Sequence, residues 1–181
     1  MSLAKTESRY IFKSPRLGFR TWLDTDIDVM ARISSNPEVM RYFPNTQDHA
    51  HTERFVHEMN RHFDQYGYCY YAVDELTTGH FIGFIGMKWV ELDFDSFTDI
   101  GWRLAPSFWG QGYATEGAIR CLDFGNKDLG LERIFAIAPK ANTPSVAVMK
   151  KAGMKFLREF AHTLLEGHIE LRNCVLYSKE A

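Results

Sequence analysis

The sequence of 181 residues contains few cysteines and no long apolar run. Its three cysteines, Cys69, Cys121 and Cys174, are odd in number and widely spaced, which is typical of reduced thiols rather than a disulfide framework. The longest apolar run, residues 81–87, is far shorter than the about 20 residues that a membrane span requires. A basic segment followed by an apolar one, typical of export signals, is also missing at the N-terminus. We therefore expect a cytoplasmic protein that does not associate with membranes.

An excess of charge of either sign is lacking as well. The 21 basic and 23 acidic residues give a net charge of −2, which provides no positive field for direct binding of nucleic acid. Apolar residues make up 45% and aromatic residues 14% of the chain, enough to fill a core and to exclude a disordered chain. No linker or repeat divides the sequence. We expect one domain over residues 1–181, with a loose N-terminal segment at residues 1–13.

The apolar pattern predicts strands and helices that alternate along much of the chain. The order β-α-α-β-β-β-α-β-α-β-β indicates an α+β fold, a mixed sheet with helices on its faces. The predicted strands are residues 14–20, 68–73, 81–89, 97–104, 133–138, 155–161 and 171–178. The predicted helices cover about residues 24–36, 48–66, 113–129 and 143–153.

A glycine-rich turn joins the strand at residues 97–104 directly to a helix. Gly110 and Gly112 lack a Cβ, so a ligand can approach their backbone closely. The unpaired N–H groups of the following helical turn add partial positive charge, and together they predict a site for a phosphate or pyrophosphate. An ordinary tight turn would explain the same residues. The dinucleotide fingerprint, the P-loop and the nucleophile elbow do not fit, because Thr115 stands where the fingerprint needs a small residue and the other two patterns are absent.

Several segments, covering about residues 14–178 in matching order, share their pattern with one enzyme family. They read NPEVMRYF at 36–43, FIGFIG at 81–86, DIGW at 99–102, WGQGYATE at 109–116, ANTPSVAVM at 141–149 and VLY at 175–177. These segments resemble the GNAT acetyltransferase superfamily, and within it the RimJ/RimL-like (ribosomal-protein acetyltransferase-like) branch. The superfamily loop reads Gln/Arg-x-x-Gly-x-Gly/Ala. Gly112 and Ala114 match its last two positions, whereas Trp109 replaces the leading Gln/Arg.

The resemblance implies a GNAT fold, with a mixed and mostly antiparallel central sheet that is splayed at the cofactor strand and has helices on both faces. It also implies acetyl-CoA as co-substrate, with the pantetheine arm along residues 100–104 and the pyrophosphate on the backbone N–H groups of residues 110–115. The cofactor-binding residues implied in this way are Ile100, Trp102, Leu104, Trp109, Gly110, Gln111, Gly112, Tyr113, Ala114, Thr115, Asn142 and Ser145.

Acetyl transfer to an amine needs a proton acceptor, because a lysine-like amine has a pKa of about 10.4 and attacks only as the free base. The resemblance makes Asp99 the candidate base and Ser145 the candidate acid for the departing thiolate. A solvated carboxylate at a strand end and simple helix capping by Asn142 and Ser145 are the structural alternatives. Met149 stands where many superfamily members have a tyrosine acid, so the acid is Ser145, a water or nothing.

The acceptor side is less defined by the sequence. His162 is a candidate substrate-binding residue, although a structural histidine explains it as well. Glu159, Glu166 and Glu170 are weaker candidates for the base. No metal site is expected, because the histidine pair at positions 57 and 62 has i, i+5 spacing and its two side chains do not share a helix face.

The sequence thus predicts an acetyl-CoA-dependent N-acetyltransferase that moves an acetyl group directly to a primary amine. The acceptor is either a protein N-terminus or a small amine, and the enzyme could form a homodimer as is common in this branch. A non-catalytic acyl-CoA-binding sensor or interaction module is the alternative, supported by Met149. A nucleotide-binding oxidoreductase is disfavoured by the missing dinucleotide fingerprint.

Overall fold

A computed structural model describes residues 9–92 and 95–181 of the chain. The strands are β1 (Phe12–Lys13), β2 (Leu17–Arg20), β3 (Tyr70–Glu75), β4 (Phe81–Leu92), β5 (Asp95–Leu104), β6 (Arg133–Pro139), β7 (Lys155–Ala161) and β8 (Asn173–Glu180). The helices are α1 (Ile27–Ser34), α2 (His49–Tyr66), α3 (Tyr113–Lys127), α4 (Thr143–Lys151) and α5 (Ile169–Arg172). The predicted order of major elements is confirmed, and so is the α+β class.

The two ends of the chain differ from the expectation. Of the N-terminal segment 1–13 that we expected to be loose, residues 1–8 lie outside the described part. Phe12 and Lys13 form a two-residue strand, and the Phe12 ring stacks on Phe19 at 4.5 Å between centroids. Near the C-terminus the predicted strand 171–178 begins only at Asn173, because the residues before it form the single turn of α5.

Local sequence signals set the limits of the longest helix. The side chain of Asp48 accepts a hydrogen bond from the backbone N–H of His51 at 2.7 Å, which satisfies one of the free donors at the start of α2. Gly67 ends α2 in a left-handed conformation, with φ of 78°. An aspartate before the helix and a glycine after it therefore fix the two ends of α2.

The eight strands found in residues 9–92 and 95–181 form one sheet with the order β1-β2-β3-β4-β5-β6-β8-β7. Every pair is antiparallel except β5 and β6, which run parallel. These two strands are matched at one pair of residues, Asp99 and Phe135, and beyond it they separate. The splayed sheet implied by the family resemblance is therefore present.

Helices cover both faces of this sheet. On one face α3 packs so closely that a Cβ on Gly117 would lie 2.3 Å from Ile85. On the other face Trp22 packs edge-on against Phe55 of α2, with 5.5 Å between the ring centroids, and Phe55 lies 5.4 Å from Phe84 of β4. Within the described residues, no helix has the length and apolar character needed to cross a membrane.

Candidate active site

A cleft of about 680 Å³ opens where β5 and β6 separate. Residues 100–104 of β5 pair with β4 on one side only, so their other backbone edge faces the cleft. The opposite wall includes Ile137 and Ala138 of β6 and the first turns of α4. The predicted site residues that line the cleft are Asp99, Ile100, Trp102, Leu104, Trp109, Gly110, Gly112, Tyr113, Ala114, Thr115, Asn142 and Ser145.

The glycine turn forms one end of the cleft. Gly110 and Gly112 both have positive φ values, 71° and 82°, which L-residues with side chains rarely adopt. The helix α3 starts directly after Gly112, and no side chain of residues 9–92 or 95–181 caps its first turn. The N–H groups at this helix start therefore remain available, and the binding of an anion there stays a prediction.

Arg16, a residue without a predicted role at the site, supports the turn from a distant part of the chain. Its Nη1 donates to the backbone oxygen of Gln111 at 3.0 Å, and its Nε donates to the Glu116 carboxylate at 2.7 Å. The guanidinium also lies over the Tyr113 ring, 4.2 Å from its centroid. These contacts hold the turn and the first turn of α3 against the residues before β2. About a hundred residues separate the partners, so no local pattern could have indicated them.

Two of the predicted loop residues use their side chains to stabilise the turn. The Trp109 indole N–H donates to the backbone oxygen of Leu104 at 2.8 Å. The Gln111 side-chain amide donates to the backbone oxygen of Ser107 at 2.8 Å, and Gln111 does not line the cleft. A contact of Gln111 with the cofactor stays a prediction for its backbone N–H alone.

At the start of α4 the two polar residues of the predicted pair have different environments. Asn142 caps the helix, because its Oδ1 accepts the backbone N–H of Ser145 at 3.2 Å. The Ser145 hydroxyl has no hydrogen-bond partner in the described part of the chain, and this half-buried residue lines the cleft. Met149 is buried one helix turn further on and offers no proton. Helix capping therefore explains the side chain of Asn142, whereas the side-chain hydroxyl of Ser145 takes no part in capping.

Asp99 lies at the point where β5 and β6 separate, and Tyr70 of β3 holds its carboxylate. The Tyr70 hydroxyl donates to Asp99 Oδ2 at 2.5 Å. Burial raises the pKa of Asp99 to about 7, opposed by this hydrogen bond, by the backbone N–H of Ile137 and by the charge of Lys88. Gly101 leaves room for the Tyr70 ring, since a Cβ there would lie 3.2 Å from that ring. A carboxylate with this pKa can exchange protons near neutral pH.

The other residues predicted for the acceptor side do not line the cleft. His162 lies just after β7, and β8 separates β7 from β6, so two strand spacings of about 4.8 Å lie between them. Glu159 forms an ion pair with Lys140 at 2.6 Å on the surface, and this partner lowers the pKa of the Glu159 carboxylate. The wall of the cleft on the side expected for the acceptor, called the acceptor wall below, is instead formed by residues from the segment between α1 and α2, by Phe55 and Phe84, and by Arg103 of β5.

The chain matches one protein family over most of its length. A profile described as "Acetyltransferase (GNAT) domain" matches residues 16–155. The Bacillus subtilis (strain 168) protein YkkB is 28% identical over 142 residues, which are 78% of this chain and 83% of YkkB. A Bacillus licheniformis protein described as N-acetyltransferase p20 is 27% identical over 136 residues, 74% of this chain and 76% of that protein.

Solved structures show the same fold. An acetyltransferase of the GNAT family from Bacillus anthracis superimposes with a TM-score of 0.76 at 26% identity, over 93% of this chain and 96% of that one. A ribosomal-protein-S5-alanine acetyltransferase from Vibrio fischeri superimposes with a TM-score of 0.74 at 17% identity, over 93% of this chain and 95% of that one. Spermidine N-acetyltransferase from Vibrio cholerae, solved with CoA and spermine, superimposes with a TM-score of 0.69 at 15% identity, over 91% of this chain and 95% of that one. The last two likenesses concern the fold alone.

Proposed function

The chain belongs to the GNAT acetyltransferase family and is an acyltransferase enzyme, and from this premise we propose that it transfers the acetyl group of acetyl-CoA directly to a primary amine. One observation supports this proposal above all others. The open edge of β5, the glycine turn before α3 and the Asp99 carboxylate all border one cleft. A strand edge, an anion site and a base are the parts that such a transfer needs.

The residues along the cleft suit acetyl-CoA chemically. Alternate residues of 100–104 turn their backbone groups away from β4 and toward the cleft, and apart from the oxygen of Leu104, which accepts from Trp109, these groups can hydrogen-bond the amides of a pantetheine arm as a neighbouring strand would. The N–H groups after Gly112 suit the pyrophosphate, because a helix start carries partial positive charge and Arg16 lies beside it. The Nδ2 of Asn142 is free to donate, since capping uses only its Oδ1. When bound, acetyl-CoA supplies an acetyl group activated as a thioester.

Asp99 serves as the general base in this proposal. Its pKa of about 7 leaves a large part of the carboxylate ionised at neutral pH, while it still holds a proton more readily than an ordinary aspartate. It accepts the proton that the free amine loses as its nitrogen bonds to the acetyl carbon, directly or through a water. Tyr70 is a positioning residue, because its hydroxyl donates to Oδ2 of Asp99 and thereby fixes the carboxylate at the cleft.

Ser145 is the candidate acid for the thiolate that leaves. Its hydroxyl lines the cleft and has no protein partner in the described residues, so it can turn toward a sulfur atom. A thiol with a pKa of about 8.5 is a fair leaving group, so help from Ser145 is useful but modest. A backbone N–H on the open edge of β5 can stabilise the charge that develops on the carbonyl oxygen.

The finer assignments belong to this proposal as well. Membership of the RimJ/RimL-like branch is supported by the sequence segments quoted above and would favour a protein N-terminus as acceptor, with a small amine as the other possibility. A single domain over residues 1–181, a cytoplasmic location and a homodimer are further parts of it. Family membership as an enzyme argues against the non-catalytic sensor that Met149 suggested.

A thiol-release assay tests the proposal. The full chain is incubated with acetyl-CoA and a panel of amines that includes N-terminal peptides, amino acids and polyamines, and free CoA is measured over time. We expect amine-dependent release of CoA together with an acetylated amine detected by mass spectrometry. Asp99→Asn is the matched control, since it keeps the shape of the side chain and removes the base. Binding of acetyl-CoA without release in the presence of any amine would contradict the proposal and favour the sensor.

A further inference from the structure

Arg103 places a positive charge on the acceptor wall without an acid to neutralise it. Its Nη1 donates to two neutral groups, Ser34 Oγ at 3.1 Å and Gln47 Oε1 at 2.9 Å. The guanidinium lies 4.6 Å from the centroid of the Phe43 ring and 5.4 Å from that of Phe84. Across residues 9–92 and 95–181, no carboxylate lies within ion-pair distance of this half-buried side chain. The protein therefore orients the charge but does not pair it.

One edge of this guanidinium is unused. Nε of Arg103 is buried and has no hydrogen-bond partner, and no acceptor contacts Nη2 in the described part of the chain. Arg20 shows what this edge normally binds. Its Nε and Nη2 donate to the two carboxylate oxygens of Asp74 at 2.9 and 2.8 Å. Two parallel N–H donors match a carboxylate, which is the strongest and most specific partner for an arginine.

The missing acid affects the ionisation of Arg103. Burial lowers the pKa of Arg103 to about 10, opposed only by the nearby Tyr70. The pKa of Arg20, which has two carboxylate partners, is instead raised. A buried cation without a counter-ion is unfavourable in the free protein, and an anion that enters the cleft relieves this cost.

Arg103 and Asp99 lie on the same face of β5, because side chains alternate along a strand and the two residues are four apart. Their Cα atoms are therefore roughly 13 Å apart. The surface between them is aromatic. Tyr70 stacks on Phe84 with 5.2 Å between ring centroids, and Gly101 adds no side chain of its own. A molecule that reaches both ends needs an apolar body.

We propose that the acceptor is a small amino carboxylate, with its amine at Asp99, its carboxylate on the Nε and Nη2 edge of Arg103, and an apolar body between them. This inference rests on the proposed function, since it assumes that an amine is acetylated at Asp99. It also disfavours a polyamine, because a second cationic group would then face Arg103. The other basic residues that line the cleft, Arg41 and Lys151, are exposed and do not provide a fixed anion site.

Matched pairs of amines test the proposal with the wild-type enzyme. Each pair consists of an amino carboxylate and its uncharged carboxamide: β-alanine, γ-aminobutyrate, ε-aminocaproate and para-aminomethylbenzoate, with spermidine as the polycation. We expect kcat/KM for the best carboxylate to exceed that for its carboxamide by about 10- to 100-fold, as for a lost hydrogen bond to a charged group. The longer and aromatic members should give the larger ratios, since they span the distance from Asp99.

Two variants assign the effect to Arg103. Arg103→Gln should bring the ratio of carboxylate to carboxamide close to one, and Arg103→Lys should keep only part of it, because a lysine does not present two parallel donors. Arg120→Gln is the control with the same loss of charge. Arg120 also stacks on an aromatic ring, Phe12 at 4.9 Å, but lies outside the cleft lining, so the wild-type ratio should persist.

The outcomes separate this inference from the proposed function. Equal rates with carboxylates and carboxamides, or spermidine as the best acceptor, would overturn the inference while acetyl transfer to amines stands. An unchanged ratio in a folded Arg103→Gln would overturn it too. Should Arg103→Gln fail to fold, the ratio of kcat/KM for the matched carboxylates and carboxamides, measured with the wild type and with Arg103→Lys, still tests the inference. Absence of CoA release with every amine would overturn both proposals.

Discussion

Replacement of Asp99 by asparagine should slow the enzyme and stabilise the fold at the same time. Asparagine has nearly the same shape, and its Oδ1 can accept the N–H of Ile137 while its Nδ2 donates to the Tyr70 oxygen. The change therefore removes the charge and keeps the hydrogen bonds. A substitution that only damaged the structure would lower activity and stability together.

The pKa of Asp99 sets the size of the effect on stability. The pKa of the Asp99 carboxyl rises from its ordinary value of 3.8 to about 7 in the folded protein. At about 1.36 kcal/mol for each pH unit, ionisation of Asp99 at high pH would lower the free energy of unfolding by about 4 kcal/mol. Solvent in the cleft screens part of this cost of burying the ionised carboxylate, so we expect a loss of about 2 kcal/mol in the free energy of unfolding. Because the pKa of Asp99 is higher in the folded than in the unfolded protein, the contribution of this residue to wild-type stability is fully present below pH 3.8 and is lost as the pH rises through about 7. The variant does not titrate there, so its advantage grows between these pH values and then levels off.

Two measurements on Asp99→Asn and the wild type test these expectations. Urea unfolding at several pH values should give a stability difference near zero at pH 4 and about 2 kcal/mol in favour of the variant at pH 8. The wild-type to variant ratio of kcat/KM should increase tenfold per pH unit up to about pH 7 and then stay constant at roughly 100-fold or more. Use of the ratio cancels the titration of the amine itself. A ratio that does not depend on pH would remove Asp99 from the proton transfer, and a less stable variant at pH 8 would refute the assigned cost of burying its charge.

Three further substitutions test neighbouring parts of the site. Tyr70→Phe removes a hydrogen bond that favours the ionised form of Asp99, so the midpoint of the pH–rate profile should move up by about one pH unit; an unchanged midpoint would show that Tyr70 does not act through Asp99. Ser145→Ala should change the unfolding free energy by less than about 0.5 kcal/mol, because Asn142 caps the helix, and should lower kcat by about 100-fold with little change in KM for acetyl-CoA; full activity would leave a water as the acid. Gly112→Val imposes about 1–3 kcal/mol of backbone strain at φ of 82°, so isothermal titration should show at least about tenfold weaker binding of acetyl-CoA; unchanged affinity in a folded variant would contradict the pyrophosphate site.

The elements that the sequence predicts well are those with strong local signals. The strand at residues 97–104, the glycine turn and the start of α3 follow from alternation, from two glycines and from the apolar stripe of a helix. The strand β1 was not predicted, because two residues are too few to show alternation and Phe12 is fixed by packing on a distant strand. The same applies to Arg16, whose partners lie far along the chain.

The acceptor side depended on information that the sequence carries only weakly. Asp99 and Arg103 share a face of β5 by simple alternation, so Arg103 could have been found once Asp99 was chosen. Tyr70 could not, because its contact with Asp99 requires the register of β3 and β4 and the space left by Gly101. His162 is a candidate for the acceptor side from the sequence, but the strand order β6-β8-β7 places it away from the cleft.

The single matched pair between β5 and β6 also affects how the molecule opens and closes. Strands β1 to β5 are held by antiparallel pairing between neighbours in the chain or across the α1–α2 segment, and β6, β7 and β8 form a separate paired group. Among the residues that the structure describes, one matched backbone position joins the groups within the sheet, so local opening along this line breaks few hydrogen bonds and should have the lowest free energy. The amides of Trp102 and Leu104 point away from β4, so they should then exchange with deuterium quickly in the free protein and slowly with the co-substrate bound. The ligand would thus act as a missing strand, and each tenfold excess over its Kd would add about 1.4 kcal/mol to the stability of the folded protein.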